Sequence, residues 1–364
     1  MKYDYIIIGA GISGCCVAYE LSKYHKNILL VDKLEDLSLG ASGASGGFLS
    51  PLLGKPNKFK DLVTKALNYS IDFYTTNFED CITRCGTTRI PKNDTDKEKF
   101  LSYIPYMDFE FSKDKDGYHF PIGSIVETYK VSKAMVTKAN IETKFDYNIS
   151  KLEYEDNTWV VNNKLKATNI ILTTGYDTSL LDEFYLKIRP VWGVRANFTT
   201  KTKVPYNYHK ACSVSRTLPY EDRYLVSIGA THHREKNGID DIEANISELL
   251  IKAKDIVELE ELELLGYLKG GRASSFDYFP VVGELIDSKK TLEEFPYLKY
   301  GTNVSPNRFT RYPNLFVLNG VGGRGFVLAP YLAKELVEFI VKGKELSSDI
   351  KVERLFKREV KRVS

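Results

Sequence analysis

Residues 3–32 read YDYIIIGAGISGCCVAYELSKYHKNILLVD, and this stretch decides the fold. Tyr3 to Ile8 is a short run rich in Ile and Tyr, the composition of a buried strand. Gly9-Ala10-Gly11-Ile12-Ser13-Gly14 follows as a G-x-G-x-x-G turn. From Ile12 to Tyr24, Val17, Ala18 and Leu21 recur at helical spacing, and Asn27 to Asp32 reads as a second strand. Strand, glycine turn, helix and strand within about 30 residues are the size of one βαβ unit. The first glycine permits the tight turn, the second lets a pyrophosphate approach the backbone, and the third lets the helix pack on the strand. The helix N-terminus offers free N–H groups and partial positive charge to phosphates. Asp32 ends the second strand, where a carboxylate accepts from ribose hydroxyls. An acid there disfavours a 2′-phosphate, so FAD or NAD is favoured over NADP.

Outward from this unit, Phe59 to Phe78, Val131 to Thr143 and Ile239 to Ile251 carry apolar residues at helical spacing. Asn148 to Tyr154, Thr158 to Val161 and Asn169 to Thr174 read as strands. Arg189 to Thr200 and Arg223 to Ala230 alternate as in an antiparallel sheet. Leu315 to Leu318 is a strand before a late glycine turn and a last helix, Phe326 to Val341, whose Lys334, Glu335 and Glu338 mark it as amphipathic rather than membrane-spanning. The predicted class is α/β, α+β overall: a Rossmann-type nucleotide-binding domain from 1–80, 125–185 and 266–364, with an antiparallel-sheet substrate domain inserted from 81–124 and 186–265.

The 364 residues carry a net charge of +3, which excludes no partner and demands none. Cys15, Cys16, Cys81, Cys85 and Cys212 are few and odd in number, and no signal peptide precedes Tyr3, so they read as reduced thiols of a cytoplasmic protein. Cys81 and Cys85 lack a second ligand pair, so no metal is expected.

Three further constellations carry chemistry. The small residues Gly40-Ala41-Ser42-Gly43-Ala44-Ser45-Gly46-Gly47 let amides close over phosphates or a flat ring. Asn319-Gly320-Val321-Gly322-Gly323-Arg324-Gly325 places a second helix N-terminus in the same sheet, suited to negative charge. In Gly270 to Gly283, Arg272 among small residues suits bidentate capture of a carboxylate; its alternative is a structural salt bridge to Asp277.

With the early G-x-G-x-x-G, the segment Arg272…Asp277…Pro280…Gly283 and the late glycine turn, the chain resembles the D-amino-acid oxidase, glycine oxidase and sarcosine oxidase superfamily along nearly its whole length. Gly40-Ala41-Ser42-Gly43, Gly47, Leu49, Pro51-Leu52-Leu53 and Lys55 are similar to the FAD domain of the bifunctional tRNA wobble-uridine enzymes. So are Ile228-Gly229-Ala230, Arg324-Gly325 with Ala329-Pro330, and the tail around Arg354 and Lys357. Ala44-Ser45-Gly46 departs from that pattern, where Asn-Arg-Gln is expected, and Met1 is followed at once by the flavin strand with no methyltransferase domain before it.

The resemblance implies FAD as cofactor. It implies Gly9, Gly11, Ile12, Ser13, Gly14, Asp32, Lys33, Ala41, Ser42, Gly43, Gly46, Gly47, Ile149, Thr174, Gly175, Gly322, Gly323, Arg324, Gly325 and Phe326 as its binding residues. It further implies oxidation of 5-carboxymethylaminomethyl-(2-thio)uridine at the tRNA wobble position, releasing 5-aminomethyl-(2-thio)uridine and glyoxylate, with dioxygen as electron acceptor; the second departure implies that any methylation is done by a separate methyltransferase or not at all. Arg272 is expected as the carboxylate clamp and Arg324 as its helper or a flavin-edge contact. No general base stands out; His232 and His233 are candidates. Lys55, Lys58, Lys60, Lys357, Arg358, Lys361 and Arg362 are candidates for tRNA phosphates. The alternatives are an oxidase of a free small amine or amino acid, and a non-catalytic flavin-binding RNA-associated module.

Overall fold

The computed structural model describes residues 2–114, 117–234 and 238–362. Strand β1 (Lys2–Ile8), helix α1 (Ile12–Leu21) and strand β2 (Ile28–Val31) form the expected unit. β1 lies inside a sheet, paired in parallel with β2 on one side and with the strand Leu165–Leu172 on the other. Beyond Asp4 both of its faces are also covered, which is why Tyr5 to Ile8 is continuously apolar. Tyr5 and Ile7 enter one core and Ile6 and Ile8 the opposite one. Parallel pairing continues outward to Glu142–Lys144 beyond β2 and to Arg311–Asn319 beyond Leu165–Leu172. Leu152–Glu155, Thr158–Val161 and Val281–Ile286 add antiparallel strands, making eight.

The core on one face is closed by α1 and by the helices Lys58–Asn77, Thr128–Ala139 and Gly325–Lys342. Asn57 starts the first of these three: its side-chain oxygen accepts from the amides of Phe59 (3.1 Å) and Lys60 (3.0 Å). A second, nine-stranded and mainly antiparallel sheet is built on Ile188–Thr200, which pairs with Arg223–Gly229 on one side and Glu263–Ser275 on the other. Leu249 and Ala253 of the helix Ile242–Lys254 pack beneath it against Phe198, Val226 and Ile228.

Several boundaries differ from the sequence reading. The helix expected over Val131 to Thr143 runs Thr128–Ala139, because Asn140 turns left-handed (φ 51°) and Thr143 joins a strand beside β2. The strand expected from Asn148 starts at Leu152, leaving Ile149 in a loop. A division at residue 266 cuts the strand Glu263–Ser275, whose pairing with Ile188–Thr200 holds it in the second sheet as far as Ser275. Among the described residues, no helix is long and apolar enough to cross a membrane.

Candidate functional site

A cleft of about 1780 Å³ opens between the C-terminal ends of the parallel strands and the second sheet. This is the place where open parallel sheets take ligands. The volume exceeds that of an ordinary small-molecule pocket and suits a dinucleotide plus a substrate.

The glycine turn forms its floor. Gly9 has φ +107°, and a Cβ there would lie 2.5 Å from the Thr173 carbonyl oxygen. Its amide donates to the Val31 carbonyl (2.7 Å), and the Thr173 hydroxyl donates to the Gly9 carbonyl (2.7 Å), so strand ends on both sides clamp the turn. The Asp32 carboxylate accepts from the amides of Ala10 (2.6 Å) and Leu34 (2.9 Å), which fixes it at the rim with lone pairs to spare. The Ser42 hydroxyl accepts from the Ile12 amide (2.9 Å), bringing the small-residue loop over the start of α1. Gly11, the N-cap of α1, supplies no side-chain cap and the first turn holds no acid, so apart from the Ser42 contact the N-terminal field is left for an anion.

The late turn mirrors this arrangement. Gly322–Arg324 is a short 3-10 turn feeding the helix Gly325–Lys342, which also begins without a side-chain cap. Gly325 lies against Ile12: a Cβ there would be 3.1 Å from the Ile12 Cγ2. Two uncapped helix N-termini thus meet at one cleft. The residues present fit FAD: a glycine cradle where a Cβ has no room, an acid beyond the second strand, and two fields for negative charge.

Gly9, Gly11, Ile12, Ser13, Asp32, Lys33, Ala41, Ser42, Gly46, Ile149, Thr174, Gly175, Gly322, Gly323, Arg324, Gly325, Phe326, Arg272 and His232 all line the cleft. Gly14, Gly43 and Gly47 do not. Each instead makes room for backbone: a Cβ would lie 1.9 Å from the Gly9 oxygen, 2.2 Å from the Ser38 oxygen and 2.1 Å from the Val126 oxygen, respectively. Lys33 is tied to Asp177 (2.7 Å), whose hydrogen bond raises the ammonium pKa against the effect of burial. His233 lies outside the lining and is structural, with Nε2 on the Asn245 side-chain oxygen (2.7 Å) and its backbone bridged to Trp192. His232 sits at the open rim, its pKa held below the usual imidazole value by partial loss of water and the nearby Arg272 charge.

The alternative reading of Arg272, a structural salt bridge to Asp277, does not hold. Asp277 belongs to Arg354, at 2.6 Å. Arg272 instead reaches the carbonyls of Thr231 (3.2 Å), Val191 and Trp192 (both 3.4 Å), and burial pulls its pKa down. Gly193 makes this possible, since a Cβ there would lie 2.6 Å from Arg272 Nη1. Arg324 donates to the Ser50 carbonyl (3.1 Å), and burial with the neighbouring Arg89 lowers its pKa to about 10. Arg195, absent from the sequence reading, also lines the cleft, reaches the Gly43 carbonyl (3.3 Å), and is lowered by burial to about 10. No carboxylate among the described residues pairs with any of these arginines. Uncompensated guanidinium groups around a cleft call for an anionic ligand.

Burial would raise the Asp277 pKa, but the Arg354 guanidinium and the hydrogen bonds from Ser275 and the Phe279 amide outweigh it, so the folded-state pKa is lowered. The stability from this pair is therefore present above the unfolded carboxylate pKa and lost as pH falls through the lower folded value. Asp277→Asn is expected to cost about 1–3 kcal/mol in denaturant unfolding at neutral pH. The gap from wild type should close below about pH 4.

Of the candidate tRNA lysines, Lys60 is misread by sequence. Its side chain is buried, paired with Asp108 (2.7 Å) and bonded to the Tyr106 carbonyl. Lys55 and Lys361 are exposed. Lys58 reaches Asp349 (2.8 Å), which brings the segment after the loop alongside the C-terminal segment. Arg358 and Arg362 flank the buried Glu359, at 3.6 and 3.1 Å.

The model of the FAD dependent oxidoreductase family (DAO) matches residues 4–339. The tRNA 5-methylaminomethyl-2-thiouridine biosynthesis bifunctional protein MnmC of Marinobacter nauticus is 24% identical over 371 residues, covering 92% of this chain and 55% of that protein. The same-named protein of Campylobacter fetus is 24% identical over 349 residues, covering 92% and 56%. The chain spans about half the length of the curated relatives it matches. Among solved structures, glycine oxidase from Bacillus cereus superposes with TM-score 0.74 at 18% identity, covering 94% of this chain and 96% of that one. Iminodiacetate oxidase from Chelativorans sp. BNC1 gives 0.69 at 18% identity, covering 94% and 96%.

Proposed function

From the premise that this chain belongs to the DAO family of FAD-dependent oxidoreductases, we propose that it oxidises the CH–NH bond of a carboxymethylamino side chain, 5-carboxymethylaminomethyl-(2-thio)uridine at the tRNA wobble position. The observation that carries this reading is the ring of guanidinium groups without carboxylate partners, Arg195, Arg272 and Arg324, around the reacting side of the cleft. A glycine-type carboxylate supplies the missing negative charge.

FAD, when bound, supplies the two-electron acceptor. The secondary amine R–NH–CH2–COO⁻ loses two electrons and two protons. Addition of water to the resulting imine gives R–NH2 and glyoxylate. Arg324 holds the carboxylate with Arg272 beside it, which fixes the methylene presented for oxidation. Their positive field also disfavours an ammonium beside them, so the substrate amine is kept neutral without a dedicated base. His232 stands at the rim, where burial and the Arg272 charge hold its pKa below the usual imidazole value. The helix N-terminus at Gly325 would favour negative charge on FAD held in the cleft. Dioxygen is the proposed reoxidant.

The exposed Lys55 and Lys361, with Lys58, Lys357, Arg358 and Arg362, form the proposed tRNA-facing surface, and the similarity to MnmC proteins supports that partner. A cytoplasmic location belongs to the same reading. In cells lacking the protein, mass analysis of wobble nucleosides should show 5-carboxymethylaminomethyl-uridine accumulating. An unchanged nucleoside profile refutes the assignment. Rapid hydrogen peroxide production from free glycine, sarcosine or proline would instead support the small-amine reading.

A further inference from the structure

Arg89 and His209 lie on neighbouring parallel strands, Thr87–Arg89 and Asn207–His209, and are direct register partners. Both line the cleft. Arg89 Nη1 donates to the Pro51 carbonyl (3.3 Å) and Arg324 Nη1 to the Ser50 carbonyl (3.1 Å), so consecutive carbonyls of one loop draw together a guanidinium group from the second sheet and one from the turn before the last helix. His209 stands beside them, its Nδ1 joined to the Ser213 hydroxyl (2.5 Å) and its ring edge-on to Phe48 at 4.9 Å. His209 Nε2 and Arg89 Nε are buried without a partner. No carboxylate among the described residues pairs with either arginine.

We infer that Arg89, His209 and Arg324 together form the pocket that seats the substrate carboxylate, with Arg272 acting from nearer the rim. Two forks and one imidazole nitrogen match the several lone-pair directions of a carboxylate, whereas a single arginine matches only one side. Two guanidinium groups held this close repel in the empty cleft, and that repulsion turns to attraction once an anion sits between them. Burial, Arg89 and Arg324 all hold His209 neutral, so it adds a polar contact without adding a third charge. The pocket selects for a small, terminal carboxylate. The inference rests on the proposed substrate only for the identity of that group, because anion seating is measured without tRNA.

The test titrates the flavin-loaded protein with acetate, following perturbation of the flavin spectrum and, independently, heat by calorimetry. Wild type is expected to bind acetate saturably. Arg89→Gln should weaken acetate at least about tenfold, and Arg272→Gln by less. Arg89→Lys, which keeps the charge and loses the fork, should fall between wild type and Arg89→Gln, and serves if the glutamine variant does not fold. Four outcomes overturn the inference: no saturable acetate binding by wild type; acetate affinity in Arg89→Gln, or in the lysine variant where that is used, within about twofold of wild type; equal weakening by the Arg89 and Arg272 variants; or loss of flavin from the Arg89 variant while its remaining holoprotein binds acetate normally. If acetate behaves as expected but wobble nucleosides are unchanged in the deletion strain, the pocket stands and the tRNA reading falls.

Discussion

A Gly14→Ala protein is expected to take up FAD about a hundredfold more weakly than wild type. The added Cβ would lie 1.9 Å from the Gly9 carbonyl oxygen and 2.9 Å from the Thr173 hydroxyl. Neither neighbour has anywhere to go. Gly9 is held by the hydrogen bond its amide donates to the Val31 carbonyl, and Thr173 anchors the turn through the carbonyls of Ile8 and Gly9. α1 must therefore tilt away from the turn, and its N-terminus leaves the position where it faces the pyrophosphate. The effect reaches the cofactor although Gly14 does not line the cleft. The measurement is the flavin-to-protein ratio after purification and the affinity on reconstitution, with circular dichroism to confirm that the sheet persists. A fully yellow variant with unchanged affinity would show that helix placement does not govern binding.

The second large effect is expected at Arg324. Replacing it with Gln should lower kcat/KM for the carboxylated substrate by about 10- to 150-fold, the range for a charge-assisted hydrogen bond. Activity on a substrate lacking the carboxylate should change far less. The guanidinium has no acid partner to lose, so the folded protein is relieved of a buried cation rather than deprived of a salt bridge. Stability should therefore hold or rise. Steady-state kinetics with the substrate pair, alongside thermal unfolding, separates these outcomes. An equal loss on both substrates would assign Arg324 to the cofactor edge instead.

What sequence conveys and what it withholds follow from range. The turn from Gly9 to Gly14 and the acid at Asp32 lie within one local unit, where backbone geometry dictates residue type, and they were legible. Arg272 stands out as a charge among small residues and Arg324 through the family resemblance, and both line the cleft. Arg89, Arg195 and His209 were not legible: Arg195 sits in a long strand and Arg89 and His209 end three-residue strands too short to show a period, and only long-range pairing of the second sheet turns them to the cleft. Gly193 carried a faint signal, since glycine inside a strand marks a close approach, yet nothing local says that Arg272 is what approaches. Lys60 was misread because helical spacing alone does not reveal that the segment around Tyr106 folds over it. The boundary near 266 was misplaced for the same reason, as the strand Glu263–Ser275 is defined by a partner some seventy residues earlier.

The most direct test of the account is anaerobic mixing of the purified flavoprotein with tRNA bearing 5-carboxymethylaminomethyl-uridine. The account predicts stoichiometric bleaching of the oxidised flavin with one glyoxylate released per flavin. An oxidised spectrum that this tRNA leaves unchanged, or equal bleaching by free glycine, would contradict it.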